Sequence, residues 1–466
     1  MADLSTLTWY KRLVLGRPIK YEEHDQMVDN LIEMVAHILA LEAIPPGETI
    51  NLGNILIVRE NGVNATAVKG SLSKVWKDPQ VAASQAVAGD RIFVVGGSHT
   101  VTGNCHVPGV NWHFIGRPLF TITSGAKMFN VTGADTLRVT GDCQFDQNTS
   151  SGRVLEVNNA SADVEIGSDN TYWHSIIGLM IRRIAGKTVT RGRIKSDSTG
   201  NAIDLSGAED YAHYGSMIEN NGSSGFTAPV KINGMTGGRV DIYSQVRRTA
   251  GGLATGCAMF FVTTPSSNVE VHFHEELIST SSDTSASVFA CPGSVQNGVK
   301  VYFHKKLSAT AAAGIVVNDG ITSTGTEIWV DGDVETNQSS AFILRDNNTQ
   351  VYHRGDVNAA KSGTAVYGVL SGVVSLSGYS NIRYHHWGRL KNGGTLVTDN
   401  GIACDGLAKA VLENSTIVLA NTGANCVSGA SVGQEVVVYL ARTNAAKDTV
   451  NVTEKVGTIV QSADVV

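Results

Sequence analysis

Val271-His272-Phe273-His274-Glu275-Glu276-Leu277 is followed by Val301-Tyr302-Phe303-His304-Lys305-Lys306-Leu307, Ile328-Trp329-Val330-Asp331-Gly332-Asp333-Val334 and Val351-Tyr352-His353-Arg354-Gly355-Asp356-Val357. An extended chain alternates its side chains, so positions 1, 3 and 7 of this unit face one way and positions 2, 4 and 6 the other. The apolar residues fall mainly at 1, 3 and 7, which makes that face the interior. Further copies begin at Leu137, Val164, Thr188, Tyr214, Val240 and Tyr384, and successive starts are 23 to 33 residues apart. That length lets the chain make one three-sided circuit and return beside itself, the signature of a solenoid. Stacked at roughly 4.8 Å per turn, ten turns make a rod of about 45 Å.

The composition agrees with this reading. Of 466 residues, 50 are Gly and 9 Pro, 42% are hydrophobic and 17% charged. Glycine this frequent disfavours a helical protein and suits short strands with tight turns, where it often takes position 5 of the unit. The hydrophobic content and the net charge of −6 are wrong for disorder. With 36 basic against 42 acidic residues and no long run of either sign, the footprint of a nucleic-acid-binding protein is missing. Cys105, Cys143, Cys257, Cys291, Cys404 and Cys426 lie far apart without zinc spacing and are expected to be small buried apolar residues. Met1-Ala2-Asp3-Leu4-Ser5 lacks the basic and apolar regions of a signal peptide, and no 18-residue apolar run occurs. Folding in a cytoplasm without membrane insertion is expected.

Ahead of the repeats, Ala86-Val87-Ala88-Gly89-Asp90-Arg91-Ile92-Phe93-Val94 reads as a Gly-Asp turn and a strand, followed by Gly97 to Thr100 and by Val110-Asn111-Trp112-His113-Phe114-Ile115-Gly116. This stretch resembles the start of right-handed parallel β-helices of the pectate-lyase and phage-tailspike type. The resemblance implies an all-β, right-handed, single-stranded parallel β-helix.

The first 46 residues differ from the rest. Met27, Leu31, Met34, Ile38 and Leu41 recur at steps of 4, 3, 4 and 3, the a/d pattern of a helix that associates with copies of itself. Val28, Ile32 and Val35 widen the stripe and leave open an amphipathic helix packed on its own chain. Pro45-Pro46-Gly47 ends the helix. Gly16-Arg17-Pro18-Ile19, Glu23, Asp25 and Leu31 resemble the G-x-P-(L/I)-x-x-x-E-x-D-x-N-F-x-x-L segment near the N-terminus of many phage fibre and spike proteins, with Met27 and Val28 in place of Asn-Phe. The resemblance implies attachment to a virion through tail or capsid protein. After Leu390 the repeat fades, and the strand spacing looks closer to antiparallel sheet. The expected organisation is an attachment segment with its oligomerising helix (1–46), a parallel β-helix with its opening cap (47–392) and a small C-terminal β domain (393–466).

Stacking turns sequence positions into columns. Position 2 over five turns reads His272, Tyr302, Trp329, Tyr352, His385, an outward strip on which sugar rings or a neighbouring subunit could stack. Position 4 offers His274, His304 and Asp331, residue types that bind metal, although side chains on successive turns run parallel instead of converging. Asp331, Asp333 and Asp356, or Asp142 and Asp169, are the carboxylates a glycosidase or lyase could pair. Arg193, Lys306 and Arg389 interrupt that column, as expected of a surface spacing its charge. No cofactor motif is present. The expectation is a trimeric phage fibre or spike subunit, carried on the virion, that adheres to a host-surface glycan. A polysaccharide depolymerase and a purely architectural decoration protein are the alternatives.

Overall fold

A computed structural model describes residues 52–461 apart from internal stretches, the longest of which are 222–227, 250–257, 281–286, 360–371 and 394–399. The segment 1–46, with Pro18, Glu23, Asp25, Met27, Leu31, Met34, Ile38 and Leu41, lies outside the described residues.

The chain is a parallel β-solenoid with three ladders. The first runs through Val269–Phe273, Lys300–Phe303, Glu327–Val330, Gln350–His353 and Arg383–His386, all paired in parallel. The second runs through Leu277–Ser279, Leu307–Ala309, Val334–Thr336, Val357–Ala359 and Arg389–Asn392. The third runs through Ser287–Pro292, Val316–Asp319, Phe342–Leu344 and Gly372–Gly378. The seven-residue unit is therefore a strand, a corner and the start of the next strand. Its position 1 aligns Val271, Val301, Ile328, Val351 and Tyr384, and its position 7 aligns Leu277, Leu307, Val334, Val357 and Leu390. All of these are buried.

At two places the corner gains a residue and the template slips. Thr188 pairs with Tyr211, not Tyr214, and Tyr211 pairs with Val240. A bulge between Tyr214 and Met217 takes up the extra residue. Because side chains alternate, matching seven residues from the far side of the bulge starts the copy at the wrong residue. Tyr211 is the buried interior residue, and Tyr214 faces outward. After Leu390 the same thing happens: Tyr384 pairs with Ala410 and Leu390 with Ile417, one residue further on. The expected antiparallel spacing is corrected here. Lys409–Leu412, Gln434–Val438 and Val452–Glu454 continue the first ladder in parallel, and Ser415–Leu419, Ala441–Thr443 and Ile459–Gln461 continue the second.

At the other end, Ile55–Arg59 pairs with Arg91–Val95, and its remaining edge is covered by Trp76, whose N–H donates to Ile57 and whose carbonyl accepts from Arg59. A short helix, Pro79–Gln85, buries Pro79, Ala82 and Ala83 beside it. Sequence reading missed this helix, although Asp78-Pro79 is a helix-start pair. The Gly-Asp turn is present: Gly89 has φ +91°, and the Asp90 carboxylate accepts from the Val87 N–H (2.8 Å) and pairs with Lys69 (2.7 Å).

Position 5 shows what glycine does. A Cβ on Gly332 would lie 2.3 Å from the Lys305 carbonyl carbon, and one on Gly355 would lie 2.4 Å from the Gly332 carbonyl oxygen. Both contacts are with backbone of the previous turn, which cannot move without breaking the ladder. Gly355→Ala is expected to lower stability by about 1–3 kcal/mol. Gly103→Ala, where a Cβ meets nothing within 4 Å, should leave the melting temperature unchanged. Equal melting of the two variants would contradict the close corner approach.

Position 3 carries Phe273, Phe303 and Val330 and then two imidazoles, His353 and His386, all buried. His353 Nε2 lies 3.3 Å from the Gly332 carbonyl, and its Nδ1 lies 3.2 Å from the Tyr384 hydroxyl and 3.1 Å from His386 Nδ1. Burial pushes His386 down to about 4 and His353 well below its ordinary value, where the neighbouring His386 adds to the shift. Burial likewise raises the Tyr384 phenol. The folded chain keeps these imidazoles neutral while the unfolded chain protonates them near 6.5, so stability is full above 6.5 and is lost as pH falls towards 4. Thermal melts from pH 7 to pH 4 should show this decline, and His353→Phe with His386→Leu should make it shallower. An unchanged slope would contradict the buried, neutral assignment.

Candidate functional site

The register places the position-2 residues in direct cross-strand contact: His272 with Tyr302, Tyr302 with Trp329, Trp329 with Tyr352 and Tyr352 with His385. Their rings form a continuous stack. Centroid separations are 4.3, 6.1, 4.0 and 4.9 Å in that order, and no pair of planes is tilted by more than 20°. The ~4.8 Å spacing of a parallel ladder is close to the spacing of offset-stacked aromatic rings, so the backbone sets the stack. Tyr302, Trp329, Tyr352 and His385 are half-buried, whereas His272 is 8% exposed. The Trp329 indole N–H is shielded and meets no acceptor among the described residues.

A second stack runs alongside on position 4. Tyr214 and Tyr243 are 4.6 Å apart, Tyr243 and His274 4.0 Å, and His274 and His304 5.1 Å. Tyr214 was missed as a member of this column because the slipped copy began at it, and Tyr243, position 4 of the regular copy at Val240, was missed because the column was not followed back beyond His274. Asp331 and Arg354 continue the column, with Arg354 3.6 Å from Asp331 and its guanidinium 5.3 Å from the Trp329 ring centroid. That placement adds a cation–π contact at the centre of the strip. At the far end, Arg383, His385, Lys409, Val411, Glu413, Val437 and Tyr439 line a shallow depression, and Tyr439 is exposed.

Electrostatics keep the imidazoles of the strip neutral. Burial lowers His272 below its ordinary value against the opposing pull of Glu270, and burial together with Arg383 lowers His385. Burial raises the phenols of Tyr302 and Tyr352, so both remain hydrogen-bond donors at neutral pH. The Tyr352 hydroxyl donates to Gln350 Oε1 at 2.6 Å.

The three position-4 metal candidates do not share one centre. His304 Nδ1 lies 3.3 Å from Asp331 Oδ2, but His274 Nε2 turns to Asp241 Oδ1 at 2.9 Å. The side chains that do gather are Asp241, His272 and His274, each offering one ligand atom within 4.8 Å of the others. Asp241 is the position-2 residue one turn before His272, and extending that column by one turn would have found it.

The carboxylate candidates have structural partners. Asp333 Oδ1 accepts from the Asp356 N–H (2.9 Å) and Asp356 Oδ1 from the Arg389 N–H (2.8 Å), so each closes the corner of the next turn. Asp142 accepts from the Ser168 hydroxyl (2.6 Å) and from Asn170 (3.2 Å) beside Asp169, in a depression flanked by Arg117 and Arg193. Cys105, Cys143 and Cys426 are buried in the core, as expected. No helix among the described residues is long and apolar enough to cross a membrane.

Comparison with known proteins found no matching family model, no matching curated protein and no matching solved structure.

Proposed function

We propose that this chain is a structural adhesion subunit of a bacteriophage fibre or spike. In this reading residues 1–46 trimerise and dock on a tail or capsid protein, and the solenoid presents a glycan-binding strip to the host surface. The observation that carries the reading is the ring stack His272-Tyr302-Trp329-Tyr352-His385, held in register by the first ladder. Sugar repeats can lie along such a row of aromatic ring edges, with hydroxyls satisfied by donors such as the Tyr302 phenol. Extended repeats of sugar match an extended row of rings better than a single small molecule does. The N-terminal heptads and the phage-type segment around Pro18, Glu23 and Asp25 support attachment and self-association.

A direct test measures binding of the full chain to envelope polysaccharide of candidate hosts. Trp329→Ala and Tyr352→Ala should each weaken binding about tenfold or more, since stacked aromatics are typical anchors, with oligomeric state and melting unchanged. Loss of assembly in these variants would assign the strip to a subunit interface instead. Release of reducing ends from the polysaccharide by the wild-type chain would favour the depolymerase reading.

A further inference from the structure

The geometry points to a divalent transition-metal site at the Asp241 end of the ring stack, formed by Asp241, His272 and His274 with His304 as the fourth neighbour. His272 is on the strand Val269–Phe273 and His274 is the residue just past its end, two positions on in the same alternation, so both project outward. Asp241 pairs directly with His272 on the preceding turn. One ligand atom from each of the three lies within 4.8 Å of the others.

The hydrogen bonds around the cluster decide which ring nitrogens are bare. His272 Nε2 is 2.7 Å from Glu270 Oε1, and His304 Nδ1 is 3.3 Å from Asp331 Oδ2. An ionised carboxylate only accepts, so each of these nitrogens carries a proton. In the neutral rings, His272 Nδ1 and His304 Nε2 are then both lone-pair atoms, yet they face each other at 3.1 Å. Two lone pairs at that distance repel unless a proton or a cation lies between them. At zinc–ligand distances of 2.0–2.1 Å, the edge of a coordination tetrahedron is about 3.3 Å. The 3.1 Å nitrogen pair and the 2.9 Å contact of His274 Nε2 with Asp241 Oδ1 are both close to that edge.

The surroundings have the form of an outer shell. Arg239 grips Asp241 through two contacts, Nε to Oδ2 at 2.7 Å and Nη2 to Oδ1 at 3.0 Å, and Glu270 fixes the His272 ring. Metal-ligating histidines commonly donate their other ring N–H to a carboxylate in this way. Two imidazoles and one carboxylate, with the third imidazole of His304 beside His272, suit Zn2+ and its neighbours and are poor ligands for Mg2+ or Ca2+, which take oxygen. On binding, the His274 proton moves through solvent from Nε2 to Nδ1, which leaves the Nε2 lone pair for the cation, and the metal ties the turns carrying Asp241 and His272 together. It would anchor the first ring of the stack, and the site does not depend on what the stack binds.

The test uses the full chain without a histidine tag, stripped with chelator and titrated with Co2+ and then Zn2+. The expected result is visible d–d absorption of low-symmetry Co2+, abolished by Zn2+, and a melting temperature raised by Zn2+ but not by Mg2+. His274→Gln and Asp241→Asn should each weaken Zn2+ binding at least tenfold. Glu270→Gln, which weakens the hold on the His272 ring without removing a ligand atom, should weaken it about tenfold. His385→Ala, at the opposite end of the stack, should leave it unchanged. Melting in chelator reports whether each variant is folded. Absence of Co2+ absorption in the wild-type chain, or binding that survives both His274→Gln and Asp241→Asn, would overturn the site.

Discussion

The parallel hydrogen-bonded register between successive turns is the constraint on which everything else in this molecule rests. Each turn places its residues directly above those of the turn before, so one position in the unit becomes one column in space. Inward columns fill the interior with Val, Ile, Leu and Phe, as at Val271, Val301, Ile328 and Val351. Outward columns become rows of like side chains at the ladder spacing, which is why His272, Tyr302, Trp329, Tyr352 and His385 stack instead of scattering. The corners obey the same constraint. They must approach the previous turn closely, which excludes a Cβ at Gly332 and Gly355 and lets the Asp333 and Asp356 carboxylates reach main-chain N–H groups of the turn that follows.

The interior is not uniformly apolar, and its polar members are arranged by the same stacking. Gln147 and Ser175 sit on successive turns, with the Ser175 hydroxyl 2.6 Å from Gln147 Oε1, and Asn392 donates to the Asn400 carbonyl at 2.9 Å. These buried groups satisfy one another or the corner backbone, as burial requires. His353, His386 and Tyr384 form a second such group, deep enough that the imidazoles stay neutral. Ser175 and His353 thus find their partners on a neighbouring turn, and Asn392 finds its partner further along its own turn.

Much of this was legible in the chain because from Val240 to Leu390 the corners keep one length and the unit repeats without slippage. The outward aromatic column was read from those turns alone. Legibility failed wherever a corner changed by a single residue. The bulge after Tyr214 displaced one copy and concealed the Tyr214 end of the Tyr214–Tyr243–His274 stack, and the longer corner between Ala410 and Ile417 hid the continuation of the ladders. A period of two turns a one-residue insertion into a reversal of faces, so a template of fixed length loses the pattern at that point. The helix Pro79–Gln85 was missed for a different reason: seven small and polar residues carry too little periodicity to stand out.

By itself the amino-acid sequence determined the class of fold, the interior positions of the regular turns and the membership of the aromatic column, because these follow from alternation and spacing along one strand. Tertiary structure alone decided which side chains meet across turns. His274 could have joined His304 and Asp331, yet its Nε2 turns back to Asp241, and His272 Nδ1 is the atom that faces His304. Column membership depends on register, which a sequence carries. Contact within and between columns depends on rotamers and on the partners offered by Arg239, Glu270 and Asp331, and those become definite only when the turns are stacked.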